Sequence, residues 1–293
     1  MFKTLCVIGV GLIGGSVARA ARKLCPELHI IGVGREEDAA NLQEALRLGV
    51  IDASSFDIAA AVQQVDCVVI ATPVGAFGAV LSALKPVWSA QTIYTDVGST
   101  KSNVVSVCEQ LFGAVPDNFV LGHPIAGAEQ SGVAASLEDL FVNKRIILTP
   151  VVSTNASALA KIQQFWEGIG ASVSLMPVAQ HDAVLAATSH LPHILAFALV
   201  DMLGHKDEQT EIFKYAAGGF RDFTRIASSD PTMWLDICLA NKTAISALLV
   251  EMQGEIDKLL LAMAQEDAQA LFATFTYAKN ARQRFLTQFE NTK

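Results

Sequence analysis

The sequence predicts an α/β fold, a doubly wound parallel sheet over residues 1–176, followed by an all-helical domain over residues 177–293. Three observations carry this reading. An apolar run closes in the glycine pattern Gly9-Val10-Gly11-Leu12-Ile13-Gly14 and passes directly into a helix-forming stretch. Short apolar runs alternate with helical patterns as far as residue 175. Beyond residue 178 the pattern is helical almost without interruption.

Residues 5–8 read as a buried strand and 16–24 as the helix after it, so the G-x-G-x-x-G turn stands where a Rossmann mononucleotide-binding unit needs it. Each glycine has a mechanical reason. Gly9 allows the tight turn, Gly11 lets backbone approach a pyrophosphate, and Gly14 lets helix and strand pack closely. The N–H groups of Leu12, Ile13 and Gly14 then face the phosphates at the positive end of the helix dipole. A second strand spans 28–33 and ends at Gly34-Arg35, followed by a helix over 36–48. Residues 66–72 (DCVVIAT) form a third strand whose tip, Thr72-Pro73, completes the cofactor-binding set at the carboxyl ends of the strands. Helix 74–84, strand 92–96, helix 101–111, strand 119–122, strand 145–149, helix 157–169 and strand 171–175 follow. Helical stretches then occupy 179–203, 211–215, 232–261 and 266–285. The later ones carry apolar faces, such as Ile245, Leu248, Leu249, Met252 and Ile256, that one small domain can hardly cover. They imply a homodimer through the helical domain, or else packing confined to the chain.

Composition narrows the function. With 52% hydrophobic and 17% charged residues, the 293-residue chain can bury a substantial core. A net charge of −8 argues against a nucleic-acid partner. An anionic substrate must therefore be held by local arginines. Five scattered cysteines without a C-x-x-C pair are the usage of a reduced cytoplasmic protein. Ala18-Arg19-Ala20 superficially resembles a signal-peptide site, but the preceding glycines belong to the cofactor pattern. No uninterrupted apolar run approaches the roughly 18 residues of a membrane span, so no membrane partner is expected.

The chemistry should lie at the strand tips. One ends Asp96-Val97-Gly98-Ser99-Thr100-Lys101, the next Gly122-His123-Pro124-Ile125-Ala126-Gly127-Ala128-Glu129. A histidine at the carboxyl end of a central strand lies beside a nicotinamide, where hydride transfer needs a base for the substrate's hydroxyl proton. His123 fits that role, and Ser99 on the neighbouring tip is placed to bond either to the histidine or to the substrate oxygen. In the helical half, Arg221 and Arg225 stand at i, i+4 beside the Gly218-Gly219 break. Two guanidinium groups there suit a carboxylate-bearing substrate; a surface pairing with Asp222 is the alternative. His190 and His193 have metal-ligand spacing, but no acid or cysteine lies close in sequence, so no metal is expected.

These segments, GxGLIGGS, DVGSTK, GHPIAGAEQSG, SHLPH and GGFRDFTRIASSDPTMW, closely resemble in order and spacing the prephenate/arogenate dehydrogenase family of tyrosine biosynthesis. The resemblance runs from Val7 to beyond Trp234. It implies a Rossmann domain followed by a helical dimerisation domain, and NAD(P)-dependent oxidative decarboxylation of prephenate or arogenate. It leaves no room for the fused chorismate mutase or regulatory domains of some members. It makes His123 the catalytic residue on the ring hydroxyl, with Ser99 as its neighbour. Glu129 and His193 would shape the substrate pocket, and Arg225 would bind a substrate carboxylate. Arg221 would lie in a segment reaching the other subunit's site.

For the cofactor, an NAD site usually ends its second strand in Asp or Glu. Here Gly34 replaces the acid and Arg35 is available to a 2′-phosphate, which favours NADP, with NAD still possible because Glu36 and Glu37 follow. A β-hydroxyacid dehydrogenase shares this architecture but needs a lysine in the first long helix, and residues 178–203 contain none. A non-catalytic NADP sensor would have no use for His123, Ser99 and Arg225 together.

Overall fold

In the computed structural model, residues 2–127 and 130–290 are described, with 208–210 and 289–290 described by their backbone alone. The first half runs β1 Thr4–Ile8, α1 Leu12–Leu24, β2 His29–Val33, α2 Ala39–Arg47, β3 Ala53–Ser55, α3 Ile58–Ala61, β4 Cys67–Ile70, α4 Phe77–Leu84, β5 Ile93–Asp96, α5 Ser102–Phe112 and β6 Phe119–Val120. These six strands form one parallel sheet in the order β3-β2-β1-β4-β5-β6. The order reverses between β1 and β4, the switch point at which such sheets bind dinucleotides.

Strand periodicity explains the layering. Leu5, Val7, Cys67 and Val69 point into one core, while Cys6, Ile8, Val68 and Ile70 point into the other. The first core is closed by Val17, Ala18 and Ala21 of α1 and by Leu42 of α2. The second is closed by Phe77, Leu81 and Leu84 of α4 and by Val104 and Cys108 of α5.

The strand read over 119–122 divides. After β6 the chain leaves the parallel sheet, and β7 Gly122–Pro124 opens a second, three-stranded sheet with β8 Arg145–Leu148 and β9 Ser172–Leu175. Within it β7 and β8 are antiparallel, and β8 and β9 are parallel. His123 therefore does not sit at the carboxyl end of a central strand. It follows the edge strand of the main sheet, in the middle residue of β7. The crossing occurs at Gly122, where a Cβ would meet the Asp96 carbonyl oxygen at 3.0 Å and Leu148 at 3.2 Å. The short β3, sequence Ala-Ser-Ser, was invisible to apolar periodicity because it is an edge strand without a large apolar side chain. Helix α6, Ala156–Gly168, lies between β8 and β9, and its Ile162 and Trp166 join the first core.

The helical half begins with α7 Val178–Leu185, a π turn Ala186–His190, and α8 Leu191–Thr210. Pro192 has no N–H for an i−4 carbonyl, which accounts for the wider turn just before it. Then come α9 Gly218–Thr224, a 3-10 turn Arg225–Ser228 and α10 Pro231–Ala240. The helical run Val178–Asp207 contains an 18-residue window of mean hydropathy 1.7, long and apolar enough to cross a bilayer, although polar residues interrupt it. Isolated polar residues break the run without much lowering the average of that window. Three of them, His181, Asp182 and His190, are buried in hydrogen bonds within the molecule.

Packing divides the chain into units 1–242 and 243–293. The first extends beyond residue 176 for a definite reason. Trp234 and Ile237 of α10 are part of the second core of the α/β half, and Asp236 accepts from the Gly75 N–H at 3.0 Å. The remaining unit consists of most of α11 Lys242–Ala264 and α12 Ala268–Glu290. It exposes Val250, Leu260, Phe272 and Phe275.

Candidate active site

The glycine loop has the geometry expected of a dinucleotide cradle. Gly9 has φ +96°, in the left-handed region, and a Cβ there would lie 2.7 Å from the Ala71 carbonyl oxygen. A Cβ on Gly14 would collide with the Gly9 carbonyl and press on Val7 and Ala71. Gly11 differs, since a Cβ there would touch no protein atom within 4 Å, so the protein's own packing does not demand glycine. Gly11 is also the N-cap of α1 and supplies no side-chain cap, and the first turn has no acid. The amides of Leu12, Ile13 and Gly14 are accordingly left for an anion. Thr72 borders this loop, and its Oγ1 is buried without a hydrogen-bond partner. An orphaned hydroxyl, an uncapped helix start and an open glycine together fit a pyrophosphate-bearing cofactor. Pro73 is exposed beside them. Asn41 braces the cradle, donating to the Val10 carbonyl at 2.7 Å and accepting from the Val133 N–H at 2.9 Å.

At the tip of β2, Asp38 folds back over Gly34 and approaches within 3.5 Å of the Cβ position there. It accepts from the Arg35 N–H at 3.0 Å and from Arg35 Nε at 3.2 Å, which holds its carboxyl below the usual carboxylate range. An acid thus stands at the strand tip after all, contributed from three residues beyond the exposed Arg35.

Asp96, at the end of β5, ties together the loop after β5 and the start of β7. It is fully buried, pairs with the equally buried Lys101 ammonium, and accepts from Gly98 N–H at 2.9 Å and Gly122 N–H at 3.0 Å. One carboxylate therefore fixes both the DVGSTK loop and the start of β7. His123 is nine-tenths buried, and its Nδ1 lies 2.9 Å from Nε2 of His181. His181 Nδ1 in turn lies 2.8 Å from Asp182 Oδ1. Asp182 also accepts from the backbone N–H groups of Lys101 (2.9 Å) and Ser102 (2.8 Å). Burial, then the neighbouring His181, Lys101 and His190, push the His123 imidazole well below its ordinary value, so it is neutral at pH 7. Ser99 is half-buried on the loop after β5, but the bond that orients His123 goes to His181.

The helical side supplies the rest. His193 lies flat on Trp234, centroids 4.0 Å apart at 23°, and donates from Nδ1 to the Ser189 carbonyl at 2.8 Å. Its value is lowered by burial and by the Arg225 cation, against the Ser189 hydrogen bond. His190 is buried, with Asn241 Nδ2 donating to its Nδ1 at 3.2 Å and to the Asp182 carbonyl at 2.9 Å. Of the residues foreseen, His123 packs on His181 and His193 on Trp234, and the exposed Arg225 cation lowers the His193 value. Arg221 is exposed and pairs with Asp222 at 3.2 Å, while Glu129 lies outside the described residues. The sequence reading did not assign roles to Asp96, Lys101, His181, Asp182 or Trp234. The available signal was charge inside apolar segments, at 96, 101 and 181–182.

His190 makes a stability prediction. Burial lowers it from 6.5 to about 4, so below pH 6.5 the unfolded chain binds a proton that the fold refuses. The contribution is complete above 6.5 and is lost as pH falls towards 4, a difference of roughly 3 kcal/mol. Urea unfolding across this range should show the loss, and His190→Gln should flatten it. An unchanged pH slope in the variant would refute this origin.

Two family models together span most of the chain: the prephenate dehydrogenase nucleotide-binding domain matches residues 17–175, and the prephenate dehydrogenase dimerization domain matches 177–277. A cyclohexadienyl dehydrogenase of Zymomonas mobilis is 39% identical over 285 residues, covering 96% of each chain. The crystal structure of prephenate dehydrogenase from Aquifex aeolicus, in complex with hydroxyphenyl propionate and NAD+, superposes with TM-score 0.89 at 35% identity, covering 97% of this chain and 99% of that one. Synechocystis arogenate dehydrogenase superposes with TM-score 0.78 at 27% identity, covering 96% and 99%.

Proposed function

The chain belongs to the prephenate dehydrogenase family, and from that premise we propose that it oxidatively decarboxylates prephenate, arogenate or both, with a nicotinamide dinucleotide as oxidant. It is an oxidoreductase of tyrosine biosynthesis. One observation supports carrying the chemistry to its own residues: a buried His123 whose Nδ1 is held by His181, leaving Nε2 for a substrate.

The bound dinucleotide supplies the hydride acceptor. His123 takes the proton of the ring hydroxyl, which a neutral imidazole can do at pH 7. Arg225 pairs with a substrate carboxylate in the bidentate manner of a guanidinium. As the ring carboxylate leaves as carbon dioxide, its bonding electrons enter the ring, and aromatisation drives the reaction. His193, fixed on Trp234, and Glu129 shape the pocket, and Ser99, the neighbour of His123, bonds to the substrate oxygen, since His181 and the substrate take both nitrogens of His123. Arg221, exposed on α9, reaches the site of the second protomer.

Residues 1–176 act as the nucleotide-binding domain, and 177–293 provide substrate contacts and the homodimer contact. Support comes from the family description of residues 177–277 and from the apolar side chains exposed on α11 and α12. The reaction runs in the cytoplasm, in keeping with five free thiols, of which Cys6 and Cys108 are pushed up to about 12 by burial. NADP is favoured over NAD through Arg35, with Asp38 tempering the preference by competing for the same guanidinium. Arg35→Ala should lower kcat/KM for NADP about tenfold relative to NAD, the loss of one charged hydrogen bond. Gly34→Asp should also shift selectivity towards NAD. An unchanged NADP/NAD ratio in both variants would reject this assignment. The test of the whole reading is a two-by-two assay of prephenate and arogenate against NAD and NADP; absence of reduced cofactor in all four combinations would overturn it.

A further inference from the structure

Behind His123 lies a hydrogen-bond chain whose direction can be worked out from its far end. Asp182 accepts two backbone N–H groups, those of Lys101 at 2.9 Å and Ser102 at 2.8 Å, at the start of α5. A carboxyl facing two donors must act as acceptor, and these bonds, with that of His181, keep it anionic despite its burial. The nitrogen of His181 that faces it at 2.8 Å, Nδ1, must therefore be the donor. In neutral His181 the lone pair is then on Nε2, which faces His123 Nδ1 at 2.9 Å. With His181 in that form, His123 donates there and its own lone pair is left on Nε2; a doubly protonated His181 would reverse the bond. Asn241 closes the back of the assembly by donating to the Asp182 carbonyl at 2.9 Å. All three side chains are buried, so water does not scramble the polarity.

We propose that His181 and Asp182 are positioning residues: anchored on the amides of Lys101 and Ser102, they fix His123 as the Nδ1–H tautomer and so present its Nε2 lone pair to the substrate's hydroxyl proton. The catalytic consequence rests on the dehydrogenase reading above; the tautomer does not. The logic is that of a serine-protease triad with a second imidazole interposed, where changing the acid to its amide preserves geometry but imposes the wrong tautomer. Here Oδ1 of Asp182 serves both Lys101 and His181 and Oδ2 serves Ser102, so an asparagine would keep its oxygen on His181; Asp182→Ala instead removes the acceptor and frees both imidazoles to exchange tautomers.

The test is nitrogen-15 NMR of histidine-labelled full-length protein, with the His123 signals assigned by their loss in His123→Asn. The expected result for the unmodified protein is a protonated Nδ1 and a bare Nε2 on His123. In Asp182→Ala that pattern should average, and kcat should fall about 100-fold with KM within about threefold. His181→Gln keeps an acceptor towards His123 and a donor towards Asp182, and should retain more activity than His181→Phe by about tenfold. An Nε2–H tautomer in the unmodified protein would overturn the proposal without any variant needing to fold. So would a fixed native tautomer in Asp182→Ala, or a loss confined to KM. If instead the tautomer behaves as expected but the unmodified protein turns over neither prephenate nor arogenate, the positioning role of His181 and Asp182 fails together with the proposed reaction, and the relay stands only as structure.

Discussion

His123→Asn is expected to lower kcat by about 10³-fold and to leave KM for the substrate within a few-fold, because general-base assistance of this kind contributes about 10²–10⁴. The imidazole is the group whose electrostatics suit the task. Burial and three positive or potentially positive neighbours depress its proton affinity, so the lone pair is available at pH 7. Asparagine is close in size and can still donate towards His181, so the fold should survive and the loss should fall on turnover. Steady-state kinetics with saturating cofactor, beside a thermal melt of the variant, separate the two. Near-normal kcat would remove His123 from the mechanism altogether.

Arg225→Ala should act on the other parameter, raising KM about 100-fold with kcat changed by less than about threefold. A bidentate guanidinium–carboxylate contact is worth about 3 kcal/mol when it replaces water, which corresponds to about that factor. The contact is the same in ground and transition states, so its loss is a loss of uniform binding. Arg225→Lys should recover only part of the affinity, since an ammonium lacks the planar fork. The residue is exposed in the single chain, so a large drop in melting temperature is not expected. If kcat fell while KM held, the guanidinium would be acting on the reacting ring and not on a remote carboxylate.

The nucleotide cradle was readable because each of its constraints is local. Gly9 needs its left-handed φ, Gly14 must clear the Gly9 carbonyl, and both requirements arise within six residues of chain. The alternation of apolar runs and helical patterns likewise gave the main parallel sheet, since period two and period 3.6 are properties of neighbouring residues. The second sheet was not separable on that basis. Strand 119–122 reads as continuous, and the transfer from one sheet to the other at Gly122 depends on Asp96 and Leu148, which lie 26 residues away on either side. Packing also drew α10 into the α/β half through Trp234 and Ile237, although its helical pattern resembles that of the chain after it.

By itself, then, the order of residues determined a glycine-rich phosphate turn, a parallel sheet ahead of a helical half, and the identity of the histidine and arginine worth testing. Only the tertiary structure decided what His123 leans on. Its partner His181 is 58 residues away, and the carboxylate behind them is anchored 81 residues back, at Lys101. Propensity and periodicity act over a few residues, whereas a hydrogen bond's direction depends on every donor at its far end, and those donors meet only when the chain has folded.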